Sequence, residues 1–210
     1  MQEIDLKTWP RREHFAFFRR ADLPFYNVTA NVDATGLRAF AKANALSLNS
    51  VLIHLTTRTL NGIDNFRYRC RDESVVLHEQ IHPSFAYLRE CEELFRFITV
   101  DYHDDVSTFD RIVRTAIADS TAYFDMTKLA GRDDFVFISA LPWIAFTGVD
   151  HTLSLKKDDG VPRVTWGKIT QTTMGEVLPF NVQVNHMFVD GLHVGRFFAA
   201  LEANIKALQS

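Results

Sequence analysis

Apolar and polar positions change period several times along this chain, and each change marks an expected element. Residues 25–32, FYNVTANV, alternate and are rich in β-formers, as a half-buried strand requires. Asp33 and Thr35 follow as capping residues and predict a helix running to about Asn44. Residues 49–60, NSVLIHLTTRTL, place apolar side chains at Val51, Leu52, Leu55 and Leu60 and predict a mostly buried helix ending near Gly62. Short strands are expected around 66–70, 74–78 and 84–88. Over 108–124, Phe109, Ile112, Val113, Ala116, Ile117 and Phe124 recur on a helical period, the clearest amphipathic helix of the chain. Strands return at 135–139, 144–149, 164–170 and 177–184. A last helix is expected over 191–208, with Val194, Phe197, Phe198, Leu201 and Ile205 on its inner face.

Strands outnumber helices, and several follow one another directly. That predicts an α+β fold, helices covering a mixed β-sheet, and not a strictly alternating βαβ series. No repeat, low-complexity tract or Pro/Gly/Ser linker divides the 210 residues, so one domain over 1–210 is expected. The 18 Phe suggest a thick core, an aromatic-lined pocket or a buried subunit interface. A formal net charge of −3 leaves no global positive field to attract nucleic acid. The densest basic cluster, Arg11, Arg12, Arg19 and Arg20, is interrupted by Phe15, Phe17 and Phe18 and reads as folded structure. No stretch approaches the ~20 apolar residues of a membrane span, and residues 1–9 hold no apolar leader. Cys70 and Cys91 lack CxxC spacing and read as reduced thiols, so a cytoplasmic location is expected. Neither a GxGxxG nor a P-loop motif is present, which removes sequence support for a classical dinucleotide or NTP site.

The densest chemical signal is Asn185-His186-Met187-Phe188-Val189-Asp190-Gly191, where an expected strand hands over to an expected helix. A histidine there can project from a rigid element into a cleft, and imidazole is the side chain best matched to proton transfer near neutral pH. Asp190 and Gly191 would support it, the glycine by allowing close backbone approach. The plainer alternative is an Asp capping the last helix beside an incidental histidine. In Ser139-Ala140-Leu141-Pro142-Trp143 the serine sits at a strand end, either in a simple turn or as a donor to a tetrahedral oxyanion. His78 and His82, or His186 with His193, raise a metal reading; the first pair precedes Pro83 at a strand end, not on the helix of an HExxH site, and no metal is expected.

Taken together, these segments resemble the chloramphenicol acetyltransferase family. Its HHxxxDG signature stands here as NHMFVDG, its Trp-x-Arg-x-Glu-His-Phe segment matches Trp9 through Phe15, and its Ser-Ala-x-Pro-Trp matches Ser139 through Trp143. IHPSFAYLRECEELF, residues 81–95, looks like its middle strand segment. The four segments are collinear over nearly the whole chain, which is far more specific than HxxxDG alone.

The resemblance implies a two-layer α/β sandwich assembled as a homotrimer, with active sites at the subunit interfaces. It implies direct acetyl transfer from acetyl-CoA to a small hydroxyl acceptor, chloramphenicol foremost. His186 would be the general base, Ser139 the oxyanion donor, and Thr165 an assistant through water. Asp190 would pair with Arg11 as structural support. Phe17, Phe18, Leu23 and Tyr26 would line the acceptor pocket, with core packing as the plainer reading of each. Trp143 and Lys168 would contact the coenzyme. Two departures stand out: the first His of the family's pair is Asn185, and residues 20–27, RADLPFYN, differ in length and composition. The second points to a modified acceptor pocket, so an acetyltransferase of the same fold with another hydroxyl acceptor is the alternative. A catalytically silent ligand-binding relative is the third reading.

Overall fold

In the computed structural model, residues 1–153, 156, 158–173 and 175–208 are described, with Met126 described by its backbone alone. Strand β1 (Gln2–Ile4) and helix α1 (Arg12–Phe18), which buries Phe15, lead into β2 (Phe25–Asp33). Helices α2 (Leu37–Ala43) and α3 (Leu48–Asn61) follow. The helix expected from Asp33 starts later because Asp33 Oδ1 takes the Thr35 N–H in a local turn, and Gly36, at φ 84°, supplies the N-cap. Helix α3 is buried along nearly its whole length and is capped by Ser47, whose side chain accepts from Ser50 N at 3.4 Å.

A single 3₁₀ turn (Asp64–Phe66) takes up the start of the strand expected at 66–70, after which come β3 (Tyr68–Arg71) and β4 (Ser74–Leu77). Next are β5 (His82–Tyr87) and β6 (Arg96–Thr99); only the first of these was expected. Helix α4 (Val106–Asp119) is capped by Asp105 and ends five residues before Phe124. Arg89 and Arg96 donate to the carbonyl of Ser120, and Tyr123 O accepts from Phe97 N, so the chain after α4 is drawn onto β6 instead of coiling on.

Strands β7 (Phe135–Ala140), β8 (Arg163–Trp166), β9 (Thr170–Thr172) and β10 (Gly175–Asn185) precede the last helix, α5 (Gly191–Ala207). The strand expected at 144–149 is a loop. Its backbone is used elsewhere: Ile144 O accepts from Lys168 N at 2.8 Å, and Val149 O accepts from the Asn181 side chain at 3.2 Å. The same loop splits the strand expected at 164–170, because a Cβ on Gly167 would stand 2.6 Å from Ile144 O.

The main sheet runs β2-β10-β8-β7-β5-β6, with β9 pairing β10; β1, β4 and β3 form a second, three-stranded sheet. Strands β5, β7 and β8 run parallel to their neighbours among themselves and the other pairs are antiparallel, so the fold is α+β with a mixed sheet. Register sorts its two faces. Ile138, Val164, Val182 and Val28 lie in one transverse row, and Ala140, Trp166, Phe180 and Ala30 in the next on the same face. That apolar face is covered by α3 and α5, with Phe180 5.7 Å from Phe197 between ring centroids. The opposite face carries Ser139, Thr165, Asn181 and Thr29 in one row, and Phe137, Arg163, Gln183 and Asn27 in the next. This is a polar face on buried strands, and such groups must find partners.

Candidate active site

The turn after β10 is held by one side chain from the other end of the chain. Arg11 Nη1 and Nη2 donate to the two carboxylate oxygens of Asp190 at 2.5 Å each. Its Nε donates to Met187 O at 2.8 Å and Nη2 also to His186 O at 2.9 Å. The guanidinium thus spans the whole turn, and it holds the Asp190 carboxyl below the usual carboxylate range against the opposing effect of partial burial. Asp190 is also the N-cap of α5, and its own N–H is taken by His193 Nδ1 at 2.9 Å. Asn185 supports the turn from within: its Oδ1 accepts from Met187 N at 2.9 Å and its Nδ2 donates to Asp159 O at 3.0 Å. An amide suits this post because it donates on one side and accepts on the other. Gly191 does not make the close approach expected of it within the chain, since a Cβ there would meet nothing within 4 Å.

His186 sits on this turn with its N–H bonded to Pro24 O at 2.7 Å. Its ring stacks on Phe18, centroids 3.8 Å apart at 10°, and lies 4.6 Å from Tyr26. Nδ1 is sealed from solvent and comes within 3.2 Å of Asp190 Oδ1 without the angle of a hydrogen bond. The side chain keeps 32% of its surface open. Tyr26 donates to Val189 O, and burial, with the Asp190 charge nearby, pushes its hydroxyl up to about 12. Phe17 and Leu23 are 69% and 51% exposed, which removes the core-packing reading for both.

Ser139 is elsewhere. It lies at the far end of β7, half-buried, on a cavity of about 630 Å³ lined by Phe97, Phe124, Phe137, His151 and Arg163. Thr165 is its direct neighbour on β8 and is fully buried. Ser139 pairs across two strands with Asn181, and His186 is five residues past Asn181, so at ~3.3 Å per residue and ~4.8 Å per strand the two Cα atoms are roughly 15–20 Å apart. One chain therefore brings Arg11, Asp190, His186, Phe18 and Tyr26 together, and separately Ser139, Thr165 and Trp143. No single acceptor atom reaches both groups.

A second cavity, of about 750 Å³, adjoins the first through Ala86, Leu88, Ala140 and Trp143 and is bordered by Arg38, Arg89 and Lys168. Three cations, the carboxylates of Glu90 and Glu92 and the indole of Trp143 share this lining, which suits a ligand with both charged and apolar parts. His78 and His82 are engaged separately: His78 Nε2 meets Asp133 Oδ1 at 2.9 Å, and His82 Nδ1 accepts from Tyr102 N at 3.0 Å. Among the described residues, no group of three or more His, Cys, Asp or Glu could hold a metal ion, and no helix is long and apolar enough to cross a membrane.

One residue of the Ser139 cavity escaped the sequence reading. His151 belongs to the loop mistaken for a strand at its edge, and its Nε2 lies 3.2 Å from Asn181 Oδ1 and 3.3 Å from Thr165 Oγ1. Burial holds this imidazole below its ordinary value. Its only sequence signal was a histidine in a polar stretch, Asp150-His151-Thr152.

A family model described as chloramphenicol acetyltransferase matches residues 1–202. Chloramphenicol acetyltransferase 2 of Haemophilus influenzae is 31% identical over 202 residues, covering 95% of this chain and 94% of that protein. The chloramphenicol acetyltransferase of Klebsiella sp is 30% identical over 202 residues, covering 95% and 91%. A solved structure of a chloramphenicol acetyltransferase superposes with a TM-score of 0.90 at 29% identity, covering 97% of this chain and 99% of that one.

Proposed function

The chain belongs to the chloramphenicol acetyltransferase family and is an acetyltransferase, and from that premise we propose that it transfers acetyl from acetyl-CoA to a hydroxyl of chloramphenicol, inactivating the antibiotic. His186 Nε2 takes the proton of the acceptor hydroxyl. The oxygen attacks the thioester carbonyl, and the Ser139 hydroxyl donates to the oxyanion that forms, with Thr165 behind it. Collapse breaks the carbon–sulfur bond, and the proton held by His186 goes to the departing thiolate. A positioned base contributes ~10²–10⁴ in rate, and one oxyanion donor ~10²–10³. Arg11 and Asp190 carry no proton; they hold the ring.

The observation that carries this reading is the mounting of His186: flanked by Phe18 and Tyr26, with Nδ1 sealed and 32% of the side chain open. The separation of His186 from Ser139 supports a homotrimer in which His186 of one copy faces Ser139 of the next. Both halves are ringed by exposed apolar side chains, Phe17 and Leu23 at one and Phe95, Phe124 and Trp143 at the other, as a buried interface requires. The cavity bordered by Arg38 and Lys168 is the place for the coenzyme, with Trp143 where its arm reaches Ser139. We place the enzyme in the cytoplasm, where its two thiols stay reduced.

His151 and Arg163, set into the otherwise largely apolar lining of the Ser139 cavity, favour as the second reading a different small hydroxyl acceptor. Thiol release from acetyl-CoA in the presence of chloramphenicol, run beside His186→Ala, separates the two. Release that needs both chloramphenicol and His186 is expected. Release that persists in His186→Ala would end the general-base role, and release only with other alcohols would select the second reading.

A further inference from the structure

The row Ser139, Thr165, Asn181 and Thr29 crosses four strands on the polar face of the sheet, and His151 lies over its middle. The hydrogen bonds of this row have a definite direction. Asn181 Nδ2 sits 3.2 Å from Val149 O and 2.9 Å from Thr29 Oγ1. A carbonyl can only accept, so the amide nitrogen must face Val149 and the amide oxygen must face His151. Asn181 Oδ1 is 3.2 Å from His151 Nε2, so that nitrogen carries the proton. A protonated Nε2 cannot accept from Thr165, 3.3 Å away, so its one proton is shared between Asn181 Oδ1 and Thr165 Oγ1 in a three-centre bond, and the Thr165 proton is left for another acceptor. The side chain beside it on the same face is Ser139.

We propose that His151 is a positioning residue that turns the Thr165 hydroxyl towards Ser139, so that the Ser139 proton is presented to the cavity. The proposal rests on the oxyanion role given to Ser139 above. The loop is prepared for this task. His151 N donates to Gln183 Oε1 at 3.1 Å, and the neighbouring Asp150 accepts from Asn27 Nδ2 at 2.6 Å. The imidazole is therefore pinned by backbone and side chain before any ligand arrives. Burial keeps the ring neutral, which preserves one donor and one acceptor nitrogen.

Two variants and one spectrum test it. His151→Leu keeps the bulk and loses the donor; His151→Gln carries an amide N–H to nearly the same place. Loss of one oriented hydrogen bond predicts a fall of about ten-fold in kcat for His151→Leu, with KM for both substrates little changed. His151→Gln should recover most of it, and in a Thr165→Val background His151→Leu should cost nothing more. Equal losses in both variants, a change confined to KM, or full additivity with Thr165→Val would overturn the proposal. Nitrogen-15 spectra of the unliganded protein read the tautomer without any turnover: a proton on Nε2 of His151 is expected, and a proton on Nδ1 would overturn it. Wild-type protein that releases no thiol with any acceptor would instead sink the acetyl-transfer reading, while the tautomer still reports on the row.

Discussion

Replacing Arg11 by Met removes four hydrogen bonds and almost no volume. Two of the four go to the Asp190 carboxylate at 2.5 Å and two to the carbonyls of His186 and Met187. Hydrogen bonds to charged groups contribute roughly 1.5–3 kcal/mol, and neutral ones about 1 kcal/mol. The Arg11 side chain is 10% exposed and that of Asp190 30%, so the ion pair is discounted towards the surface value. The net expectation is a loss of about 3 kcal/mol, or about 6–12 °C in melting temperature for a chain this long. The catalytic effect runs through the same turn: a freed turn lets His186 leave its place against Phe18, and kcat should fall by about 10–100-fold with a smaller change in KM. Arg11→Lys keeps the charge but cannot span the carboxylate and both carbonyls, so it should fall between the two. Urea unfolding at one fixed protein concentration, together with steady-state kinetics, measures both effects. An Arg11→Met protein with wild-type unfolding midpoint and wild-type kcat would refute the reasoning, as would full rescue by lysine.

Ser139→Ala should lower kcat by about 10²–10³ while leaving acceptor binding nearly unchanged; a defect in KM alone would remove the oxyanion role. Mixing His186→Ala and Ser139→Ala subunits by co-refolding should restore activity, since random head-to-tail trimers leave about one quarter of the sites with an intact histidine facing an intact serine. No recovery in verified mixed trimers would place both residues' work within one chain. Acid should weaken the fold in two stages. His54, His82 and His151 are depressed by burial, so unfolded imidazoles, which take protons near pH ~6.5, draw the equilibrium towards unfolding as pH falls through that value and on through the lower folded ones. Asp190, depressed by Arg11, contributes stability that is present above the unfolded carboxylate value of ~3.9 and is lost as pH falls through its own lower one. A urea midpoint unchanged between pH 8 and 5 would contradict the first stage.

Local pattern decided a good deal. Periodicity located α4 and α5 because each buries a stripe that recurs at helical spacing, α3 was legible as a mostly buried apolar run, and alternation located β2. The segments around Arg11, Ser139 and Asp190 stood out through their collinear resemblance to a family; the residue types of the Arg11 segment alone were unremarkable. Residues 144–149 show the limit. IAFTGV has the composition of a strand, yet β8 and β10, whose groups it meets, already have partners on both sides. The loop bonds instead to Lys168 N and the Asn181 side chain, and Gly167 makes room for it. The end of α4 was set in the same way, by Arg89 in the β5–β6 connection and Arg96 of β6 reaching Ser120 O.

Side-chain type and neighbours a few positions away were enough to mark His186, Ser139 and Asp190 as candidates, but not His151. Which of these residues meet is a property of the fold. Strand order and register put Ser139 beside Thr165 and Asn181, laid His151 over that row, and set His186 at the opposite end of the sheet. Those relations join segments far apart in the chain, and hydrogen-bond ladders formed in three dimensions, not local periodicity, fix them.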